Sequence, residues 1–518
     1  MSKKYSFLIQ AKHVFDGKQK STYEGFLCLK DKQIVKMGKG KASQKIQEEA
    51  EEILEFDKEL VMPGVTDTHT FFTGYAVFHL GVDVSEIKTN EEGEKALKAY
   101  EEEKHPKNVL FGHGWKPTQW KQKDGEQMLE ETFPDKPVIL FAEDRGSCIM
   151  NEKAKEVYQF TSDSCYPESY YRIMKEYLND REFIEKELKD YAVMLNSRGV
   201  TSVKEMGFDD FYGFTDYLKE IENSDDLHLR FFFMSQPVGA PMNLEYAKRM
   251  REKFKGDKIR FSGFNRMTDG TIADYKGELK KPYEKKDFVC SIDIPWNEIE
   301  QDVLEADKEG FRWSLHAQGD GAVAKIAKIY DKCKKVDGKL VNKQALTDME
   351  FTSPEDLEKL GKIGVNAELY FQIMSLDPGN VLKENIERTI GNERGKYYWN
   401  RRKMEDSGIN LCGATDLPLL ITSVPESIYY SCGGYMDGEE EPFQTENTLS
   451  AAEILKAWTL GGQKSLEMED KLGTLEEGKI ADIAIFDRDL TTENPKTVKD
   501  AKVILTILDG KLFISYNE

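Results

Sequence analysis

The sequence predicts an α/β fold, a (β/α)8 TIM-like barrel that carries a small β-sandwich formed by both chain ends. Three observations carry this expectation. Residues 60–71 are an apolar run broken by Pro63 and Gly64 and followed by polar residues that include Asp67 and His69, which reads as a buried strand delivering side chains at its carboxyl end. In a barrel of this kind that end carries the chemistry. Downstream, strand-like runs alternate with charged amphipathic helices, the pattern of parallel β/α units. Both chain ends are rich in short strands and turns, each too small to bury a core alone, so they pack together.

Taken in order, residues 1–62 supply the first part of the sandwich, with a hairpin over 26–37 and a turn at Asp16-Gly17. The barrel is expected over 63–465. Its strand candidates are 109–115, 137–141, 199–203, 229–233, 259–264, 311–315, 364–369 and 409–412, with helices at 183–195 and 451–460. Residues 466–518 close the sandwich: 480–486 alternates apolar with small or polar residues, and 504–515 folds back at Asp509-Gly510, a two-residue hairpin signal.

Composition bounds the function. The chain has 73 basic and 94 acidic residues and a net charge of -21, which opposes nucleic acid and anionic membrane as partners. No apolar run approaches the roughly eighteen residues of a membrane helix, and the basic N-terminus is cut by Lys12 and His13 before a signal-peptide core forms. Seven scattered cysteines without a C-x-x-C pair fit a reducing, cytoplasmic setting. The expected partner is a small molecule.

Several motifs together resemble the amidohydrolase superfamily, in its amidohydrolase family 3 branch. They are residues 60–71, Gly112-His113-Gly114-Trp115 with Trp120, Gly199-Val200-Thr201-Ser202-Val203, Asp269-Gly270 with Pro282-Tyr283, His316-Ala317-Gln318-Gly319-Asp320, Gly413-Ala414-Thr415-Asp416, and the closing stretch 472–485. The resemblance spans nearly the whole chain and implies hydrolysis of a C-N bond at a divalent metal centre, in a family whose members are commonly dimers or larger, so that a homodimer is open here. Its metal positions carry over unevenly. His69, His316 and Asp416 match, whereas Phe71 stands for the second histidine of His-x-His, Asn265 for the bridging lysine, Phe351 for the histidine after Glu350, and Gly146 for a histidine five residues before Asn151.

Three readings follow. A reduced site would hold one divalent metal, such as zinc, on His69, His316 and Asp416. A metal-free site would use Asp416 as general base, His316 or His69 as proton donor and Arg266 or Lys204 as oxyanion stabiliser. A paralogue that binds a small molecule without converting it would keep only the fold, and a metal-independent isomerase or lyase is a further alternative. Hydrolysis of a small non-peptide amide or cyclic amide, without a resident cofactor, is the favoured expectation. Lys204 is open to a Schiff-base role or to an ion pair with the adjacent Glu205. His113, Trp115, Phe71, Asn265 and Phe351 are expected to line the substrate pocket, residues 397–402 to wall it, and Asp67 and Asp320 to orient His69 and His316.

Overall fold

Eight parallel strands close around a buried centre: β1 (Val65–Thr70), β2 (Val200–Glu205), β3 (Arg230–Ser235), β4 (Ile259–Met267), β5 (Trp313–Ala317), β6 (Ala345–Asp348), β7 (Asn366–Tyr370) and β8 (Asn410–Ala414). The computed structural model describes residues 3–143, 147–162, 172–209, 213–222, 224, 227–237, 240–491 and 494–514. Gly146 lies outside them. The strands follow one another in sequence order around the sheet, and β8 returns to β1 through a parallel bridge between Thr70 and Leu417. Three hydrogen bonds complete that seam: Thr68 Oγ1 to Gly413 O at 2.9 Å, Asp416 N to His69 O at 2.9 Å, and Phe71 N to Leu417 O at 2.8 Å. Strands covered on both faces need no polar side, and β1, β2 and β3 are buried at every residue.

Helices cover the barrel with their apolar stripes. The helix Arg181–Asn196 begins where the Asp180 side chain accepts from Phe183 N, and it buries Ile184, Leu188, Tyr191 and Leu195. At the closing end of the barrel, the helix Ala451–Lys456 runs on into a π-turn at Ala457–Gly461. The side chain of Trp458 lies against β8, where a Cβ on Gly413 would stand 2.2 Å from the indole, so only glycine fits there.

The chain ends share a seven-stranded sheet. Its central strand, Ala50–Pro63, pairs in parallel with Tyr5–Val14 and antiparallel with Ile483–Phe486, which joins the N- and C-terminal segments in one β-domain. The two hairpins expected from sequence form, one between Tyr23–Lys30 and Gln33–Lys39 and one between Val503–Leu508 and Lys511–Ile514. Asp509 and Gly510 both take positive φ, 51° and 72°, as the two-residue turn requires.

Two expectations change. The runs at 109–115 and 137–141 are strands, Leu110–Trp115 and Val138–Ala142, but they belong to a separate four-stranded sheet with Val82–Asp83 and Cys148–Met150. One face of that sheet has its own core of Val84, Trp115, Trp120, Leu129 and Leu140, while Phe111, Ile139, Phe141 and Met150 on the other join the main core. The sixth barrel strand, with only four residues, carries too little pattern to be read from sequence.

The barrel and β-domain are tied by Arg230 of β3, 1 % exposed. Its guanidinium meets Asp482 through Nε at 2.8 Å and Nη2 at 3.0 Å, and also pairs with Asp509. Burial would raise the Asp509 carboxyl, but Arg230 holds it below its ordinary value. Arg230→Met would leave two buried carboxylates without their cation, and chemical denaturation is expected to show a loss of about 3–5 kcal/mol. The sign of the pH effect follows from the depressed carboxyl: the stabilisation is complete above an unfolded value of about 4 and is lost as pH falls through the folded value. Acid titration of stability should therefore show a limb that shrinks in Arg230→Met.

Candidate active site

Alternation along the strands decides what reaches the barrel interior. Lys204 of β2 points in, where its ammonium pairs with Glu368 of β7 and donates to Ser314 Oγ of β5 at 3.2 Å. Glu368 also accepts from Ser314 Oγ at 2.5 Å and from Thr347 Oγ1 of β6 at 3.1 Å. Burial would raise this carboxyl, but the Lys204 charge holds it well below the usual range, so it is ionised and only accepts. Glu205 faces the other way, toward the helices. It takes hydrogen bonds from Tyr191 OH at 2.6 Å, Thr70 Oγ1 at 2.9 Å and Phe72 N at 2.7 Å. The partner of Lys204 is therefore Glu368 across the barrel, not its neighbour Glu205.

Above this network lies a cavity of about 390 Å³ at the carboxyl end of the strands. His69, Asn265, His316, Asp348, Glu350, Tyr370 and Asp416 supply polar lining, and Phe71, Ile373, Leu382, Ile386, Trp399 and Pro418 are among the apolar walls. His69 is nearly fully buried and its Nε2 faces Asp416 Oδ1 at 3.6 Å. Its Nδ1 lies 3.4 Å from Thr347 Oγ1. Since the Thr347 proton goes to the Glu368 carboxylate, the hydroxyl offers His69 a lone pair, which places the imidazole proton on Nδ1 and leaves Nε2 bare. Burial lowers the His69 pKa and keeps the ring neutral.

His316 is in the opposite state. Its Nε2 donates to Asp348 Oδ2 at 3.0 Å and its Nδ1 sits 3.9 Å from Asp269 Oδ1. Burial works against the charge, but the Asp348 hydrogen bond and the two carboxylates raise the pKa to about 9, so His316 is an imidazolium. Asp269 is fixed by backbone N–H groups of Glu278, Gln318 and Gly319 at 2.8, 3.0 and 2.9 Å. Burial first, then the adjacent Asp348, push the Glu350 carboxyl up to about 8. Asp348 and Asp416 both hold left-handed backbone, φ 75° and 55°, a conformation that aspartate tolerates better than most residues and that clusters at functional sites.

The structure thus gathers His69, His316, Asp416, Phe71 and Asn265 at one cavity and leaves the other expected residues elsewhere. Arg266, one step from Asn265 on β4, points outward to Glu298 at 2.9 Å and Asp302 at 3.2 Å. Lys204 is sealed beneath the cavity. His113 bonds Leu80 O at 3.0 Å, and Trp115 donates to Trp120 O at 3.0 Å, both in the side sheet. Phe351 packs behind the wall on Tyr398, ring centroids 6.0 Å apart. Of residues 397–402, Tyr398 and Trp399 do line the cavity. Asp67 accepts from the backbone of His69 and from Thr415 and Thr422 hydroxyls, and Asp320 from Lys280 N and Ser353 Oγ. Neither touches an imidazole, and Asp348 and Asp269 take that role for His316. Glu368 and Tyr370 were also missed; a carboxylate inside the apolar run 364–369 was the available signal.

The sequence profile of the Amidohydrolase family matches residues 58–514, and the chain belongs to that family. Among curated proteins it is similar to Protein LONG AFTER FAR-RED 3 of Arabidopsis thaliana, 20% identical over 96% of this chain and 90% of that one. It is also similar to imidazolonepropionase of Fusobacterium nucleatum, 24% identical over 60% of this chain and 64% of the relative. Its fold matches the crystal structure of an uncharacterized metal-dependent hydrolase from Pyrococcus horikoshii with a TM-score of 0.71 and 20% identity, over 94% of this chain and 99% of the other.

The donors present do not fit the metal that the family implies. Phe71 and Phe351 cannot ligate, Asn265 cannot form a carbamate, and the Nε2 of His316 is engaged by Asp348. Among the described residues no group of three or more His, Cys, Asp or Glu side chains is arranged to hold an ion. Elemental analysis of protein purified without chelator or affinity-tag metal is expected to give well below one zinc, iron or manganese per chain, with the unfolding midpoint unchanged by chelator. A stoichiometric metal lost on His69→Ala would overturn this assignment.

Proposed function

We propose that this protein hydrolyses the C-N bond of a small non-peptide amide or cyclic amide, with Asp416 as general base and no resident metal. One observation carries the reading: the bare Nε2 of His69 and Oδ1 of Asp416 face each other at 3.6 Å on the cavity wall, two acceptors converging where one water can donate to both. Family membership and the likeness to imidazolonepropionase support a C-N substrate. The cavity is of the size that holds a small molecule.

In the addition step the water oxygen bonds the carbonyl carbon while one of its protons passes to Asp416. The carbonyl π electrons move to oxygen. Tyr370 lies 5.9 Å from His69 between ring centroids, and its buried hydroxyl has no hydrogen-bond partner among the described residues. That hydroxyl is placed to donate to the forming oxyanion, the role that Arg266 and Lys204 are turned away from. His316 adds a positive field on the far side of the mouth. The C-N bond then breaks as the nitrogen takes the proton held by Asp416, giving a carboxylic acid and an amine. Phe71 stands edge-on to His69 at 5.4 Å and keeps other water from the pair.

Asp416→Asn keeps the shape and removes the base, so turnover of an amide panel is expected to fall about 10²–10⁴-fold with ligand affinity retained. Tyr370→Phe should lower kcat about 10²–10³-fold with little change in KM. A wild-type protein that binds such amides and converts none would establish the non-catalytic binding role instead.

A further inference from the structure

The cavity carries more acid than the hydrolytic step uses. Among the described residues its lining includes Asp348, Glu350, Asp377 and Asp416 and contains neither lysine nor arginine; the cationic group there is His316, and that charge is already faced by Asp348 and Asp269. Glu350 makes no ion pair among the described residues; the charge of buried Arg401, 6.0 Å from the Trp399 ring centroid, reaches it only at longer range. Its hydrogen bond comes from the neutral Tyr398 hydroxyl at 3.2 Å. On the same wall, the acceptor Asn265 Oδ1 is buried with no hydrogen-bond partner among the described residues, on a residue 3 % exposed. Buried polar atoms are rarely left orphaned in a folded protein, and orphans that line a cavity point to a ligand that completes them.

These groups stand on other strands than the water-binding pair. His69 lies on β1 and Asp416 follows β8, whereas Asn265, His316 and Asp348 follow one another on β4, β5 and β6, with Glu350 just beyond. A substrate reaching both sides lies across the barrel mouth. Its reacting carbonyl is at the β8–β1 side and its remote end meets an orphaned acceptor, a carboxyl without an ion pair and two aromatic rings. Tyr398 and Trp399 are packed edge to face, centroids 5.1 Å apart, next to Glu350. Carboxyls flanked by aromatic rings select a cation with N–H donors and reject an anion.

We infer that the substrate of this site is an amide bearing a cationic nitrogen group, such as an ammonium, amidinium or guanidinium, seated between Asp348 and Glu350 against Tyr398 and Trp399, with an N–H directed to Asn265 Oδ1. The apolar side chains of Ile373, Leu382 and Ile386 cover the carbon skeleton that joins the cation to the amide. This rests on the hydrolase reading for the amide, while the charge preference rests on the cavity alone.

The test is calorimetric titration of the full-length protein with benzylammonium, benzyl alcohol and benzoate, which share a ring and differ in charge. Benzylammonium is expected to bind at least about tenfold tighter than benzoate, ~1.4 kcal/mol, with the alcohol between. Glu350→Gln should remove the advantage of the cation and leave the alcohol unchanged, with thermal unfolding confirming that the variant is folded. Should that variant fail to fold, the wild-type series decides the matter. Benzoate binding as tightly as benzylammonium, no saturable benzylammonium binding, or an advantage that survives Glu350→Gln each overturn the assignment. The readout needs no turnover, so the two ideas fail separately. A cation preference that persists while no amide is converted refutes only hydrolysis. Conversion of anionic and cationic amides at equal kcat/KM refutes only the cation subsite.

Discussion

The ion pair between Lys204 and Glu368, buried between β2 and β7, is the constraint on which the active end of the barrel depends. Neither group would remain charged there alone, since isolating an ion in a protein interior costs several kcal/mol. Together, and with Ser314 and Thr347 donating to Glu368, they form a polar core inside an otherwise apolar barrel. Because Glu368 is held ionised, it claims the Thr347 proton. Because it does, Thr347 accepts from His69 Nδ1, and the imidazole lone pair is directed at Asp416. A charge on β2 thus sets the tautomer of a histidine on β1 through groups on β7 and β6, with no group of this chain moving.

The same economy holds at the seam. The backbone hydrogen bond that closes the barrel, Asp416 N to His69 O at 2.9 Å, also brings the two side chains of the water site side by side. Asp416 has left-handed backbone at φ 55°, which turns its carboxyl into the mouth as the chain leaves β8. Closure of the fold and assembly of the site are therefore one event. A variant that loosens the β8–β1 seam alters the His69–Asp416 separation before it exposes any core.

Much of this was legible in the sequence, and what was not has physical causes. The barrel and β-domain follow from alternation and turn chemistry, as the hairpin at Asp509-Gly510 and the strand at 199–203 show. His69, His316, Asp416, Phe71 and Asn265 converge because each sits at the carboxyl end of a barrel strand, a position that a motif can fix. Arg266 misleads because a slip of one residue along a strand reverses the face, so Asn265 enters the cavity while its neighbour meets Glu298. Lys204 misleads for the converse reason: it faces inward but stops one layer too deep. Its partner Glu368 lies 164 positions away, beyond any local spacing rule. His113 and Trp115 occupy a motif that builds a side sheet with a core of its own. The charged state of His316 depends on Asp348 and Asp269, whose approach is set only by tertiary structure.

The residues that replace the family's ligands share one property that ties the chemistry to the substrate. Phe71, Asn265 and Phe351 are all uncharged, while the carboxyls at the mouth, Asp348, Glu350 and Asp416, remain. Two of the three have definite uses, Asp348 in holding the His316 charge and Asp416 in the water site. Glu350 is left as a carboxyl pushed up to about 8, where burial and the neighbouring Asp348 outweigh the charges of His316 and buried Arg401. In a chain with 21 more negative than positive charges, the surrounding field adds to that imbalance. Near neutral pH burial keeps the proton on Glu350, and a positive group that arrives from outside would take the place of that proton in the aromatic-walled cavity. Substitution at the ligand positions therefore does more than remove a metal site. It leaves a cavity lined by more acid than cation, available to recognise the molecule that enters it.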